Sequence, residues 1–279
     1  MKQRVITAAV ILAVAVPVLW FSDYVVYPLI LSLLAGGAMF ELFRAVNLKK
    51  QLVLTIPAYI LALAAPLCAY IFLHLKGFRP QEFLLWFTLA LAAYLLYLFL
   101  VAVLMQGAVR YSDVTVIFTS TVYIVGAFTA LSVIRYMENG AYLLVLVFIA
   151  AWICDVFAYL VGSLLGRHKL IPKISPKKTV EGSVGGILFA TVAFLLYGFL
   201  VGRFGTVSPK YGLLALFGVL LSVVSQIGDL IASLIKREHD VKDYGKLFPG
   251  HGGILDRFDS VLAVAAVLMI VSIVAPPLV

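Results

Sequence analysis

The chain has 279 residues, 64% of them hydrophobic, with 21 Lys and Arg against 13 Asp and Glu and a formal net charge of +8. A soluble domain of this length needs far more polar surface to cover itself, and a β-barrel needs short alternating strands, so both are excluded. What remains is an all-α polytopic integral membrane protein, because apolar runs of about 18 or more residues, each able to cross about 30 Å of hydrocarbon, recur along the whole length.

In chain order the runs predict about nine transmembrane helices, near 5–21, 24–40, 52–75, 83–105, 114–134, 141–163, 183–201, 211–235 and 260–278. The opening "MKQRVITAAVILAVAVPVLWF" has the basic start and apolar centre of a signal peptide. Trp20 and Phe21 stand where a small-residue cleavage site belongs, so it reads as an uncleaved first helix. The first two runs are short and joined by Ser22-Asp23, which suits a re-entrant pair. Pro17, Pro28, Pro57 and Pro66 fall within runs, where neighbouring helices can satisfy the freed carbonyls. Cys68 and Cys154 both lie in apolar runs and read as small core residues without disulfide or zinc spacing.

Placing Lys and Arg on alternate loops puts sixteen of the 21 with the N-terminus, leaving Lys76, Arg79, Arg135, Arg203 and Lys210 opposite. The bias puts the N-terminus in the cytoplasm and the C-terminus outside, and it explains the net charge without nucleic acid as a partner. Two polar segments, 166–182 and 236–259, emerge on the cytoplasmic face, since the spans between them form one out-and-back hairpin. The expected division is N-terminal helices over 1–140 and a catalytic region with a cytoplasmic-facing polar cavity over 141–279. A single structural domain is the simplest reading, as no solenoid repeat or low-complexity linker occurs.

The chemistry concentrates in that second half. Asp155 in "AWICDVFAYLVG" and Asp229 in "LSVVSQIGDLIASLIK" lie inside apolar runs, where a carboxylate costs a few kcal/mol and marks a polar cavity or a buried partner. For Asp229 that partner would be Gln226 or Ser225. About 10 Å of helix separates Asp229 from Lys236, setting it a couple of turns below the cytoplasmic surface. "SPKKTVEG" groups Ser175, Lys177, Lys178 and Thr179, which suit phosphate contacts or anionic lipid. In "FPGHGGILDRFDS" the glycines can take positive φ and offer backbone N–H groups to an anion, with His251, Gly252 and Gly253 at the turn. Asp256 and Asp259 follow, three apart, with Arg257 between them. They fit either the capping of a helix start or a hard cation such as Mg²⁺, which takes one or two carboxylates plus substrate phosphates. No Walker or dinucleotide glycine motif and no HExxH occurs. Together these residues describe a metal-dependent polyphosphate site with access for a lipid.

The stretch "SLIKREHDVKDYGKLFPGHGGILDRFD" (233–259) closely resembles the signature of the phosphatidate cytidylyltransferases, or CDP-diacylglycerol synthases. Ser233, Lys236, Arg237, Lys242, Asp243, Gly245, Pro249, His251, Gly252, Gly253, Asp256, Arg257 and Asp259 fit it without a gap. Upstream, "CDVFAYLVG" and "ISPKKTVEG" resemble two further segments of that family. The resemblance implies condensation of CTP with phosphatidic acid to CDP-diacylglycerol and pyrophosphate, dependent on Mg²⁺ with room for a second cation. It implies metal ligands at Asp229, Asp256, Asp259 and Asp155, and phosphate contacts from Lys177, Lys178, Lys236, Arg237 and Lys242. Ser175, Thr179, His251, Gly252, Gly253 and Arg257 complete the implied substrate site, with Asp229, Asp256, Lys242 and Asp259 as its catalytic members. The implied location is a bacterial cytoplasmic (inner) membrane with the site facing the cytoplasm. Gly162/Gly166 and Gly182/Gly186 permit close helix packing, either in a homodimer or within one chain. The competing readings are a polyprenol or dolichol kinase-like enzyme, which shares the metal and phosphate chemistry, and a cation-coupled transporter, which needs broken helices in both halves of the chain.

Overall fold

In the computed structural model the described residues are 17–48, 51–76 and 79–279. The helices are α1 (Val26–Ala45), α2 (Leu52–Lys76), α3 (Pro80–Leu104), α4 (Tyr111–Tyr136), α5 (Gly140–Phe148), α6 (Cys154–Leu165), α7 (Val180–Phe204), α8 (Tyr211–Glu238) and α9 (Leu255–Val274). A π-helical turn, Ile149–Ile153, joins α5 to α6, and they cross as one span. A two-stranded hairpin, β1 (Lys169–Ile171) with β2 (Ser175–Thr179), precedes α7. Among the described residues eight spans are long and apolar enough to cross a membrane, and the protein is an all-α polytopic membrane protein. Each span expected from residue 24 onward finds its helix. The expected first span, 5–21, lies mostly outside the described residues. The last begins at Leu255, five residues earlier than its apolar run, so Asp256 and Asp259 are already helical.

The chain forms two compact units, both discontinuous. The first comprises the described residues up to Tyr136 with Asp243–Asp256, and the second Met137–Lys242 with Arg257–Val279. In the first, α2 packs against α1, α3 and α4, and α4 also meets α1 and α3. Its centre is apolar (Met39, Phe43, Ile117, Ile124, Phe128), with Tyr27 reaching the Leu131 carbonyl and Ser132 the Pro66 carbonyl. That second bond shows a neighbouring helix engaging the carbonyl of a mid-helix proline. Cys154 is buried, whereas Cys68 lies on the exposed surface of α2. Bilayer tails are as apolar as a core, so an apolar neighbourhood does not distinguish inside from outside.

In the second unit α7 packs between α6 and α8. The close approach runs through small residues: a β-carbon on Gly182 would sit 2.5 Å from the Ala158 carbonyl, and one on Gly162 would sit 3.4 Å from the Gly182 Cα. The small-residue pairs therefore serve contact within the chain. The unpartnered faces carry large apolar side chains, including Leu164, Val184, Leu188 and Phe204, as a lipid-facing surface does.

Candidate active site

The site in the second unit begins with a phase shift. The π turn at Ile149–Ile153 widens the helix by one residue, which changes the face presented by everything after it. Its Ala150 and Ala151 are buried against α7 and α8, and Asp155 follows within the first turn of α6. The β-hairpin supplies the opposite wall. Lys169 pairs with Thr179 and Ile171 with Ser175 across the strands. Thr179 then caps α7, its Oγ1 accepting the Gly182 N–H at 3.1 Å. Glu181 accepts the Arg167 and His168 amides and meets His168 Nδ1 at 2.6 Å, which ties the hairpin base to the α7 N-terminus.

This local order holds Lys178 at the cleft, where its Nζ is ion-paired with the Asp229 carboxylate; each side chain is about one-quarter exposed (23% and 25%). Asp229 also accepts from Ser233 Oγ at 3.5 Å, one turn further along α8. The expected partners, Gln226 and Ser225, are not the ones used. Gln226 instead donates to the Ser183 carbonyl at 3.0 Å and to Cys154 Sγ at 3.4 Å, and accepts from Ser183 Oγ. A lysine distant in sequence offers Asp229 a full charge, which a neighbouring amide cannot.

Asp155, Lys177, Lys178, Thr179, Gln226 and Asp229 line one cleft of about 260 Å³, with Ala158, Tyr159 and Leu170 giving it an apolar side. Ser260 links one further acid, Asp259, to Asp155: its N–H donates to Asp259 Oδ1 at 2.8 Å and its Oγ to Asp155 Oδ2 at 3.4 Å. Asp155, Asp229 and Asp259 act electrostatically on one another, Lys236 on Asp259, and Arg257 on Asp155. Gly228 makes the approach of α9 possible, since a β-carbon there would sit 2.8 Å from the Asp259 carbonyl. Arg237 donates through Nε to the Ile174 carbonyl at 3.4 Å, so the end of α8 and the hairpin turn meet at one face of this unit. Lys242 is exposed at the end of that segment, and Ser175 occupies a strand-pairing position opposite Ile171.

The first unit holds the glycine loop. Gly250 and Gly252 take the positive φ expected of them (75° and 83°), and the chain turns back so that Phe248 and Gly252 bridge. Its amides are engaged from within the protein. His251 N–H donates to the Phe248 carbonyl, and the Gly253 and Tyr244 amides both donate to Asp256 Oδ2, at 3.0 and 2.7 Å. The Ile254 and Leu255 amides go to Glu41 of α1. His251 Nδ1 is buried without a hydrogen-bond partner. The carboxylate of Asp256 thus fastens two amides of the loop that precedes its own helix. Glu41 was missed by sequence reasoning: its signal, an acid just past the end of the apolar run 24–40, is also that of an ordinary helix end.

Among the described residues no three His, Cys, Asp or Glu side chains form a ready-made metal site. The donor chemistry still fits a hard cation: Asp155, Asp229 and Asp259 carry carboxylate oxygens, and the Lys178 ammonium already places a cation against Asp229. Mg²⁺ commonly keeps waters and takes substrate phosphates, so a pair of carboxylates suffices.

The model of the family described as "Cytidylyltransferase family" matches residues 2–274. The phosphatidate cytidylyltransferase of Bacillus subtilis (strain 168) is 36% identical over 271 residues, covering 95% of this chain and 94% of that protein. The namesake from Staphylococcus saprophyticus is 35% identical over 277 residues, covering 98% and 99%, and that of Staphylococcus haemolyticus is 33% identical over 273 residues with the same coverage. With similarity running the length of the chain, and Asp155 and Asp229 meeting Lys177 and Lys178 at one cleft, the protein belongs to the cytidylyltransferase family.

Proposed function

We propose that this protein transfers the cytidylyl group of CTP to phosphatidic acid, giving CDP-diacylglycerol and pyrophosphate, at a site open to the cytoplasmic side of a bacterial inner membrane. The observation that carries the reading is the Lys178–Asp229 ion pair at a cleft with Asp155 on its wall, inside an otherwise apolar helix bundle. A carboxylate and an ammonium at that depth are costly, and a polyanionic substrate with a lipid tail is what such a cleft suits.

The reaction needs no enzyme nucleophile. A phosphate oxygen of phosphatidic acid, already ionised near neutral pH, attacks the α-phosphorus of CTP. The new P–O bond forms as the bond from the α-phosphorus to the bridging oxygen breaks, and pyrophosphate leaves on the opposite side. Lys177, Lys178, Lys236, Arg237 and Lys242 bind and neutralise phosphate oxygens, and they steady the charge that grows on pyrophosphate. Asp229, with Asp155 and Asp259, would hold Mg²⁺, which when bound neutralises the triphosphate and orients it. Lys178, beside Asp229 at the cleft, is placed to turn its ammonium to a phosphate oxygen. The apolar side of the cleft, with Tyr159, fits the glycerolipid end of the acceptor.

The test uses purified protein in mixed micelles of detergent and phosphatidic acid with Mg²⁺. Label at the α-phosphate of CTP is expected in the lipid fraction, and label at the γ-phosphate in pyrophosphate. Transfer of γ-label to lipid would instead establish a kinase, and activity undiminished in EDTA would overturn the metal assignment.

A further inference from the structure

Glu41 sits in the last turn of α1, buried to 6% exposure in a membrane-spanning helix. That place is unfavourable twice over: a carboxylate is being removed from water, and it lies at the negative end of its own helix dipole. The compensation comes from the signature loop. Glu41 Oε1 accepts the Ile254 N–H at 3.0 Å and Oε2 accepts the Leu255 N–H at 2.9 Å, at the positive end of α9. The loop backbone closes around the carboxylate on other sides. A β-carbon on Gly245 would sit 2.1 Å from Oε1, and one on Gly253 would sit 2.2 Å from it. One turn beyond Glu41, the Arg44 guanidinium donates to the Tyr244 carbonyl at 2.5 Å, and Tyr244 is itself buried.

We infer that Glu41 is a positioning residue for the signature loop: its carboxylate is the resident anion around which residues 244–255 fold. Of the amides that a glycine turn ahead of a helix would offer to a phosphate, those of Ile254 and Leu255 are here given to Glu41, and a side chain at Gly245 or Gly253 would press on its carboxylate. Glu41 touches no reacting atom. It acts through the loop, setting the backbone that carries His251 and leads into Asp256. The inference rests on the proposed cytidylyl transfer for its effect on turnover, and on geometry alone for the clamp.

The test is Glu41→Gln in the full chain, which keeps the shape but turns one acceptor into a donor facing an N–H. Hydrogen exchange of the peptide covering 244–256 is expected to quicken at least tenfold while helices α2 and α4 exchange as before. The kcat for CDP-diacylglycerol formation is expected to fall tenfold to a hundredfold with the KM for CTP within about threefold, the range of losses seen when a supporting contact is removed. Gly245→Ala, with Glu41 in place, is expected to produce the same pattern and serves if Glu41→Gln does not fold. Unchanged exchange over 244–256 in a folded variant would overturn the clamp, as would faster exchange spread over the whole protein. Rapid local exchange with wild-type kcat would overturn its bearing on turnover. Should the wild type make no CDP-diacylglycerol, the proposed reaction fails, while the exchange measurement still decides the clamp.

Discussion

Lys178 and Asp229 offer the sharpest test at the scale of single residues. They are 51 positions apart, they form an ion pair, and both face the cleft. Asp229→Asn removes the carboxylate charge proposed to hold the cation and leaves the ammonium without a counter-charge, so turnover is expected to fall at least a hundredfold with expression and detergent-solubilised folding intact. Lys178→Ala should lose activity at low and high ionic strength alike. Lys169→Ala, on the exposed start of β1, should lose little, because a lysine that only attracts anionic lipid contributes about 1 kcal/mol and fades with salt. Initial rates in mixed micelles at low and high KCl, with CTP varied, separate the two. Equal behaviour of the two lysine variants would mean that Lys178 is a surface charge. Sequence alone singled these residues out, Asp229 because acids in apolar runs are expensive and Lys178 because lysines beside hydroxyls suit phosphate. Their pairing was not legible there, because Asp229 has polar neighbours within a helical turn and nothing local shows that a strand residue will reach it first.

At the scale of elements, helix existence followed from hydrophobic run length, whereas the devices that aim side chains did not. The π turn before Asp155 and the hairpin carrying Lys177 and Lys178 leave little mark on a run of apolar or basic residues. The α6–α7 contact is the element most open to test. A methyl group at Gly182 would press on the Ala158 carbonyl, backbone that cannot rotate away. Gly182→Ala is therefore expected to destabilise by about 1 to 3 kcal/mol, the usual cost of overpacking, and to lower activity because Thr179 caps the same turn. Thermal unfolding in detergent with a parallel rate measurement checks this, and a wild-type midpoint would show that α7 shifts freely.

At the scale of the molecule, orientation in the bilayer is the property that the positive-inside bias addresses most directly. Cysteines introduced at Lys173 and Lys242, both exposed, are expected to react with a membrane-impermeant thiol reagent only from the cytoplasmic side, and one at Lys210 only from outside. A Cys68→Ser background removes the exposed native thiol. Labelling at 173 and 242 from opposite faces would break the out-and-back path of α7 and α8. Composition and run length alone determined that this is a polytopic helical membrane protein, because a bilayer demands long apolar helices whatever their packing. The motif in residues 233–259 likewise pointed to the family, since phosphate and cation chemistry restricts residue types at fixed spacing. Only the tertiary structure decided which acid meets which base and which carboxylate holds the glycine loop. Those choices depend on helices distant in sequence coming together, and in lipid the apolar pattern that would reveal a helix's inward face is missing.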